Sequence, residues 1–267
     1  IALAFRAWVF AAKGEIAGAE REFDRACAAA QGESVPWLLR GSFRLQRYAG
    51  QRGLPWSRWS PRGVEFQPLP PETEAERLLR EGGLADLARV SGVVPAEARV
   101  FDTVGRALAA GYSDRPDGWE EALRLLAGTD LPSAVRLRGL ALYRLRRFEE
   151  ARAAYHAAAR LWSQDADLRY WHGLALQACA IQLALAGEDA QPLYAAAVGE
   201  YTEAGRLRPA LTAACLGQRA AAWLELGIHQ SSRRLDPRNA FRAGLTDLGG
   251  IGGTGAGREF VLVTRSL

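Results

Sequence analysis

The chain has 267 residues, 49% of them hydrophobic, and 34 basic against 30 acidic side chains leave a net charge of +4. That composition supplies an ample core, and so small an excess does not by itself make a nucleic-acid binder. No run reaches the roughly 18 uncharged apolar residues of a membrane span, so none is expected.

In chain order, the apolar spacing predicts a helix pair over residues 2–13 and 16–30, turning at Lys13-Gly14-Glu15, where glycine suits a left-handed helix end. Ser34 can cap the next helix, with Pro36 in its first turn, as far as about Tyr48. Residues from about 50 to 71 then break the pattern. Pro55, Pro61, Pro68, Pro70 and Pro71 forbid a continuing helix, and Trp56, Trp59 and Phe66 argue against a free linker. We expect an irregular insertion there.

Glu72 or Thr73 restarts a helix toward Arg80, Gly82-Gly83 is expected to interrupt it, and Leu84–Val90 makes another short one. Pro95 opens a helix ending at Gly111, and Ser113 to Gly118 is a turn cluster before a short helix over Trp119–Leu126. Ser133 is expected to cap the clearest unit, whose two helices join at a tight turn near Arg146 and Arg147, the second running to about Trp162. Asp165 or Asp167 caps a long helix over 168–186. Pro192 opens its partner, which ends before Pro209. A helix over 210–226 is expected to stop at Gly227, and Asp236-Pro237 starts a last one to about Leu248. Residues 249–267 read as a glycine-rich tail with a strand-like end over Glu259–Thr264.

The second helices share a signature: an apolar residue, then Ala-x3-aromatic-x2-Ala. It reads Ile16, Ala19, Phe23, Ala26; Phe148, Ala151, Tyr155, Ala158; and Tyr194, Ala197, Tyr201, Ala204, with a weaker copy at Trp119, Ala122 and Leu126. Small residues of the first helices recur at a period of 34: Ala7 and Gly41, then Gly105, Gly139 and Gly173. Neither helix of such a pair buries its face alone, so pairs must stack on one another. The pattern resembles the tetratricopeptide repeat (TPR) family, over residues 2–31 and 98–226 and only loosely over 35–97. It departs from the family at the first Trp, replaced by Leu3, Val135 and Arg169, and only Pro209 supplies the closing proline of a good copy. The interval from Leu176 to Tyr194 is also about a dozen residues too long. The resemblance implies an all-α, right-handed α-solenoid of stacked antiparallel helix pairs over residues 1–248.

In that family the first helices line a concave groove. Carrying the phase over places Arg99, Arg106, Arg136, Tyr143, Arg144, Tyr170 and Gln177 there, as a surface for another protein or an acidic peptide; a plain solvated helix face is the alternative. The asparagines of the family's chaperone-tail clamp are missing, since the only Asn is Asn239. A second candidate is the acid-free stretch Val35–Val64, with Arg40, Arg44, Arg47, Arg52, Arg58 and Arg62 among Trp37, Phe43, Tyr48, Trp56 and Trp59. Within it Trp56, Arg58, Trp59 and Arg62 could form a recognition element or plug the array. The rival function is nucleic-acid binding through this stretch, with bases stacking on the aromatics.

Catalytic patterns are lacking. His156, His172 and His229 do not form an H-E-x-x-H pair, no G-x-S-x-G occurs, and Glu120-Glu121 and Glu149-Glu150 suit helix starts. The GGIGGTGAG run does not sit between a strand and a helix as a dinucleotide loop must. Cys27, Cys179 and Cys215 lie in Ala-rich runs without a C-x2-C pair, as small buried residues. We therefore expect neither enzyme activity nor a cofactor nor a metal. Free thiols lean toward a reducing, cytoplasmic setting. The lack of methionine and the helical pattern already present at Ile1 lead us to expect sequence upstream.

Overall fold

The computed structural model describes residues 2–30, 32–52, 57–60, 63–66, 71–90, 94, 98–113 and 117–251. Among them the chain is helical, with consecutive helices packed as pairs and one two-stranded hairpin. It divides into two compact units, residues 1–55 with 68–141 and residues 56–67 with 142–267.

The first unit begins with α1 (Ala2–Ala12) and α2 (Ile16–Ala28). Gly14 makes the turn with φ of +80°, and the N–H of Glu15 reaches back to the carbonyl of Phe10 at 2.9 Å. A connection of three residues between packed helices forces them antiparallel. Next come α3 (Ser34–Arg52), α4 (Glu74–Ala88), α5 (Arg99–Gly111) and α6 (Gly118–Leu126). The first helices of the pairs, α1, α3 and α5, also touch one another in succession. Trp8 is the hub of this core: its ring lies 6.3 Å from Phe23, 6.1 Å from Phe43 and 5.0 Å from Phe101, joining four helices.

Thr73 caps α4 as a capping box. Its hydroxyl accepts from the Glu76 N–H at 3.2 Å, and the Glu76 carboxylate accepts from the Thr73 N–H at 2.8 Å. The expected interruption at Gly82-Gly83 is absent, because α4 runs straight through both glycines. Their role is proximity. A Cβ on Gly83 would meet Leu45 Cγ at 2.8 Å, and one on Gly41 would meet the Gly83 carbonyl at 3.0 Å. Each glycine weakens a helix interior by about 1 kcal/mol, and here the pair lets α3 and α4 lie backbone to backbone.

The division between the units falls within α7 (Pro132–Arg144). Pro132 opens this helix and puts Ser133 inside it, rather than at the cap position expected. The second unit continues with α8 (Phe148–Leu161), α9 (Ala166–Leu185), α10 (Gln191–Leu207), a 3-10 turn at Pro209–Leu211, α11 (Thr212–Ser232) and α12 (Arg238–Ile251). Arg146 closes the turn before α8 in the left-handed region, φ +60°. Asp165 caps α9, its carboxylate accepting from the N–H groups of Asp167 and Leu168 at 3.0 and 3.2 Å. The long Leu176–Tyr194 interval is absorbed by extra turns of α9 and by a turn at Gly187.

The repeated signature is the packing code. Ala19, Phe23 and Ala26, then Phe148, Ala151, Tyr155 and Ala158, then Tyr194, Ala197, Tyr201 and Ala204 are all buried. The small residue of a first helix receives the aromatic of the second: a Cβ on Gly173 would lie 2.6 Å from the Tyr201 ring. Gly227 does the same under Phe241, at 2.5 Å. It therefore sits inside α11 instead of ending it as expected, and the helix stops beyond Ser232, near Arg234 with φ of +59°.

Residues 50–71 also differ from the irregular segment expected. α3 runs on to Arg52, and β1 (Ser57–Ser60) pairs antiparallel with β2 (Gly63–Phe66), Ser60 facing Gly63 in the register of a two-residue hairpin. The hairpin lies against α9. The strand-like run over Glu259–Thr264 lies outside the described residues, as does the glycine-rich run from Gly252 on.

Candidate functional site

In the first unit, Arg99 and Arg106 stand seven residues apart on α5, hence on one face of it. Both are exposed, and Arg106 is tied to Asp102 one turn earlier at 2.6 Å. Arg136 is half-buried on α7.

The remaining first-helix residues belong to the second unit, where three of them converge. Tyr170 packs on Tyr201 with ring centroids 5.8 Å apart. The Tyr201 hydroxyl donates to Gln177 Oε1 at 2.8 Å, and Gln177 Nε2 donates to Glu225 at 2.9 Å. Tyr143 is buried close enough to act on the same phenol. Burial drives the Tyr201 hydroxyl far above its ordinary range, with Tyr170, Tyr143 and Glu225 adding to it, so it stays a proton donor to Gln177. Gln177 is wholly enclosed, and both ends of its amide serve neighbouring helices. Of the predicted surface, then, Tyr143 and Gln177 lie inside, Tyr170 and Arg144 are half-buried, and Arg99 and Arg106 are open to solvent. Trp56 and Arg62 lie outside the described residues, and Arg58 and Trp59 are placed only by their backbone on β1.

The basic stretch takes a form that local sequence could not show. It contains no acid of its own, yet α2 and α4 bring carboxylates to its arginines. Arg40 donates to both oxygens of Asp86, at 2.8 and 2.7 Å, and through its remaining Nη to Asp24 at 2.7 Å. Arg44 donates to Asp86 at 2.8 Å, and Arg47 pairs with Glu20. Asp86 is deeply buried. Its hydrogen bonds outweigh the burial that would release the Arg40 proton, so that guanidinium is held charged more firmly than usual. Two cations also flank the half-buried Trp37 ring, Arg40 at 4.8 Å and Arg89 at 4.3 Å from its centroid. Beside this cluster a pocket of about 530 Å³ opens between α2, α3 and α4.

Two histidines that the sequence placed on separate helices come together in the second unit. His156 and His172 have ring centroids 5.6 Å apart, and His172 Nδ1 lies 3.2 Å from Glu200. Burial would raise the Glu200 carboxyl, but His172 and Arg169 outweigh it and hold it below the usual carboxylate range. His229 is buried and accepts the Ala190 N–H through Nε2 at 3.3 Å, at the start of α10. The three cysteines are free and buried. Burial pushes the Cys27 and Cys215 thiols up to about 11 and that of Cys179 to about 12, which leaves them protonated and poor nucleophiles. Among the described residues no group of three or more His, Cys, Asp or Glu side chains is arranged to hold a metal ion, and no helix is long and apolar enough to cross a membrane.

No protein-family model, curated protein or solved structure matches this chain.

Proposed function

We propose that this is a TPR-like helical-repeat module that acts by binding a partner protein rather than by catalysis. The observation that supports it is the succession of touching first helices in the first unit, α1, α3 and α5, a continuous helical face of the kind on which an extended partner can lie. Arg99 and Arg106 stand open on the last of these helices, and guanidinium forks favour carboxylates, so the partner segment is acidic. The TPR assignment draws support from Gly173 seated under Tyr201 and from the buried Ala-x3-aromatic-x2-Ala positions. Nucleic acid is the lesser reading, because Arg40, Arg44 and Arg47 of the basic stretch already meet carboxylates of their own chain.

The test is affinity capture with the full chain, followed by mass spectrometry, comparing the wild type with an Arg99→Glu/Arg106→Glu protein. The charge-reversed chain is expected to lose an acidic protein partner. Unchanged capture would remove this face from the reading. Recovery of RNA or DNA with a steep salt dependence would replace a protein partner by a phosphate one.

A further inference from the structure

The two faces of α12 are built for different neighbours. Its inner face is taken up by α11: a Cβ on Gly244 would come within 3.2 Å of Leu224, and Ala240, Leu248 and Ile251 are buried. On the outer face Arg238, Phe241, Arg242, Leu245 and Thr246 recur at i, i+3, i+4, i+7 and i+8. They share one side of the helix over about 12 Å and together line an open depression. Phe241 lies between the two faces, half-buried, with its ring over Gly227 of α11. Leu245, one turn on, leaves 64% of its surface in solvent. A lone exposed leucine is ordinary. This one is set in a depression beside an aromatic ring and between cations, which the packing of α12 on α11 does not require.

The cations here outnumber the acids. From Arg233 to Thr246 the chain carries Arg233, Arg234, Arg238 and Arg242 against Asp236 alone. Asp236 is already engaged at the start of α12. Its carboxylate accepts from the Arg238 guanidinium at 2.9 and 2.7 Å and from the Arg238 backbone N–H at 3.1 Å. Arg242 acts on it only from farther off. Asp247, the next acid along, is buried on the other side of the helix and accepts from Arg219 at 2.7 Å. In the turn after α9, Asp189 stands 3.9 Å from His229, and neither it nor Glu188 pairs with Arg233 or Arg234. Among the described residues, then, no carboxylate lies within ion-pair distance of Arg233, Arg234 or Arg242. All three are exposed, and they flank the apolar pair at one end.

We infer that the outer face of α12 docks an acidic amphipathic helix of a partner protein, whose apolar stripe rests on Phe241 and Leu245 while its carboxylates meet Arg242 and the Arg233–Arg234 turn. A ridge of residues three and four apart is matched by a second helix of the same spacing. The charge selects the occupant. A second copy of this chain, docked through the same face, would set Arg238 and Arg242 against their own images. Residues 252–267 of the chain contain Arg258 and Arg265 against Glu259, so they too bring net positive charge. A lipid surface calls for a wider apolar face than two side chains. A phosphate backbone has nothing to set on Leu245. The site shares no residue with the Arg99–Arg106 face, so either reading can fail without the other.

The test is fluorescence anisotropy with the full chain and a labelled peptide of two Leu-Glu-Glu-Leu-Ala-Glu-Ala repeats. A peptide of the same composition, reordered so that its leucines no longer share a face, should bind at least about fivefold more weakly. Arg242→Glu should weaken binding of the first peptide at least about tenfold, and Leu245→Gln about fivefold. Both side chains are exposed, so neither variant disturbs the core. The Arg99→Glu/Arg106→Glu protein should bind the peptide as the wild type does. The proposal is overturned if the first peptide does not bind, if the reordered peptide binds equally, or if either α12 variant is without effect. Loss of binding on reversal of Arg99 and Arg106 alone would overturn it as well. So would tighter binding of a single-stranded RNA octamer or of vesicles of phosphatidylcholine and phosphatidylserine.

Discussion

Two buried polar networks, one in each unit, are built in opposite ways. In the first, a carboxylate and two guanidiniums meet behind α3 and α4, with Asp86 accepting from Arg40 and Arg44. In the second, a neutral amide stands between a phenol and a half-buried carboxylate, in the chain Tyr201–Gln177–Glu225. Both link helices far apart in sequence. The ionic arrangement borders a pocket and is extended outward by Asp24, which accepts from Arg40 at 2.7 Å. The chain through the Gln177 amide links α9, α10 and α11, and what it fixes is how they sit together.

The largest expected effect comes from Asp86→Ala. Removing the shared carboxylate leaves two guanidiniums facing a desolvated wall, and breaking a buried pair in this way costs about 3 kcal/mol or more. Urea denaturation should show the loss, and a change under about 1 kcal/mol would mean that the first unit's ionic cluster is ornamental. Tyr201→Phe comes next. It keeps the ring over Gly173 but leaves Gln177 Oε1 without its donor, for an expected loss of about 1–2 kcal/mol. A neutral result would show that the second unit is held by ring packing alone.

The smallest effect is a pH dependence at His229. Burial, with Arg233 adding, lowers its pKa below the ordinary 6.5, so the imidazole accepts from the Ala190 N–H in its neutral form. The unfolded chain takes up the proton first as pH falls. This contribution to stability is therefore present above about pH 6.5 and is lost as pH drops through the lowered folded value. Urea midpoints at pH 7.5 and 5.5 should differ more for the wild type than for His229→Asn, whose amide oxygen can still accept. Equal differences would separate His229 from the acid sensitivity.

Much of the helical pairing was legible because it is local. The spacing of Ala151, Tyr155 and Ala158 reports a buried stripe within two turns, and the glycine period anticipated Gly173 opposite an aromatic. Glycines carry two meanings, however, and sequence alone does not separate them. Gly14 turns the chain, whereas Gly83 and Gly227 lie inside helices because a neighbour comes too close for a Cβ. Strands of four residues set among prolines are too short to show a period, which hid the hairpin over residues 57–66. The repeat phase placed Tyr143, Tyr170 and Gln177 on a groove surface, and it could not tell that Gln177 faces inward, since that depends on Tyr201 of α10. The partners of Arg40 were invisible for a similar reason: Asp86 is 46 residues away, and only the close contact of α3 with α4 brings it into reach.

That contact has a mechanical consequence. Gly41 and Gly83 form a spacer of zero thickness between two rods, and the calibre of the space on the neighbouring side is set by how closely those rods lie. One methyl at Gly83, which lines no wall of the pocket, would act as a shim, prising α4 away from α3 and shifting Leu79 against the arginine row. The bore of this pocket can thus be re-gauged from its hinge side, one carbon atom at a time, without altering a residue that faces its contents.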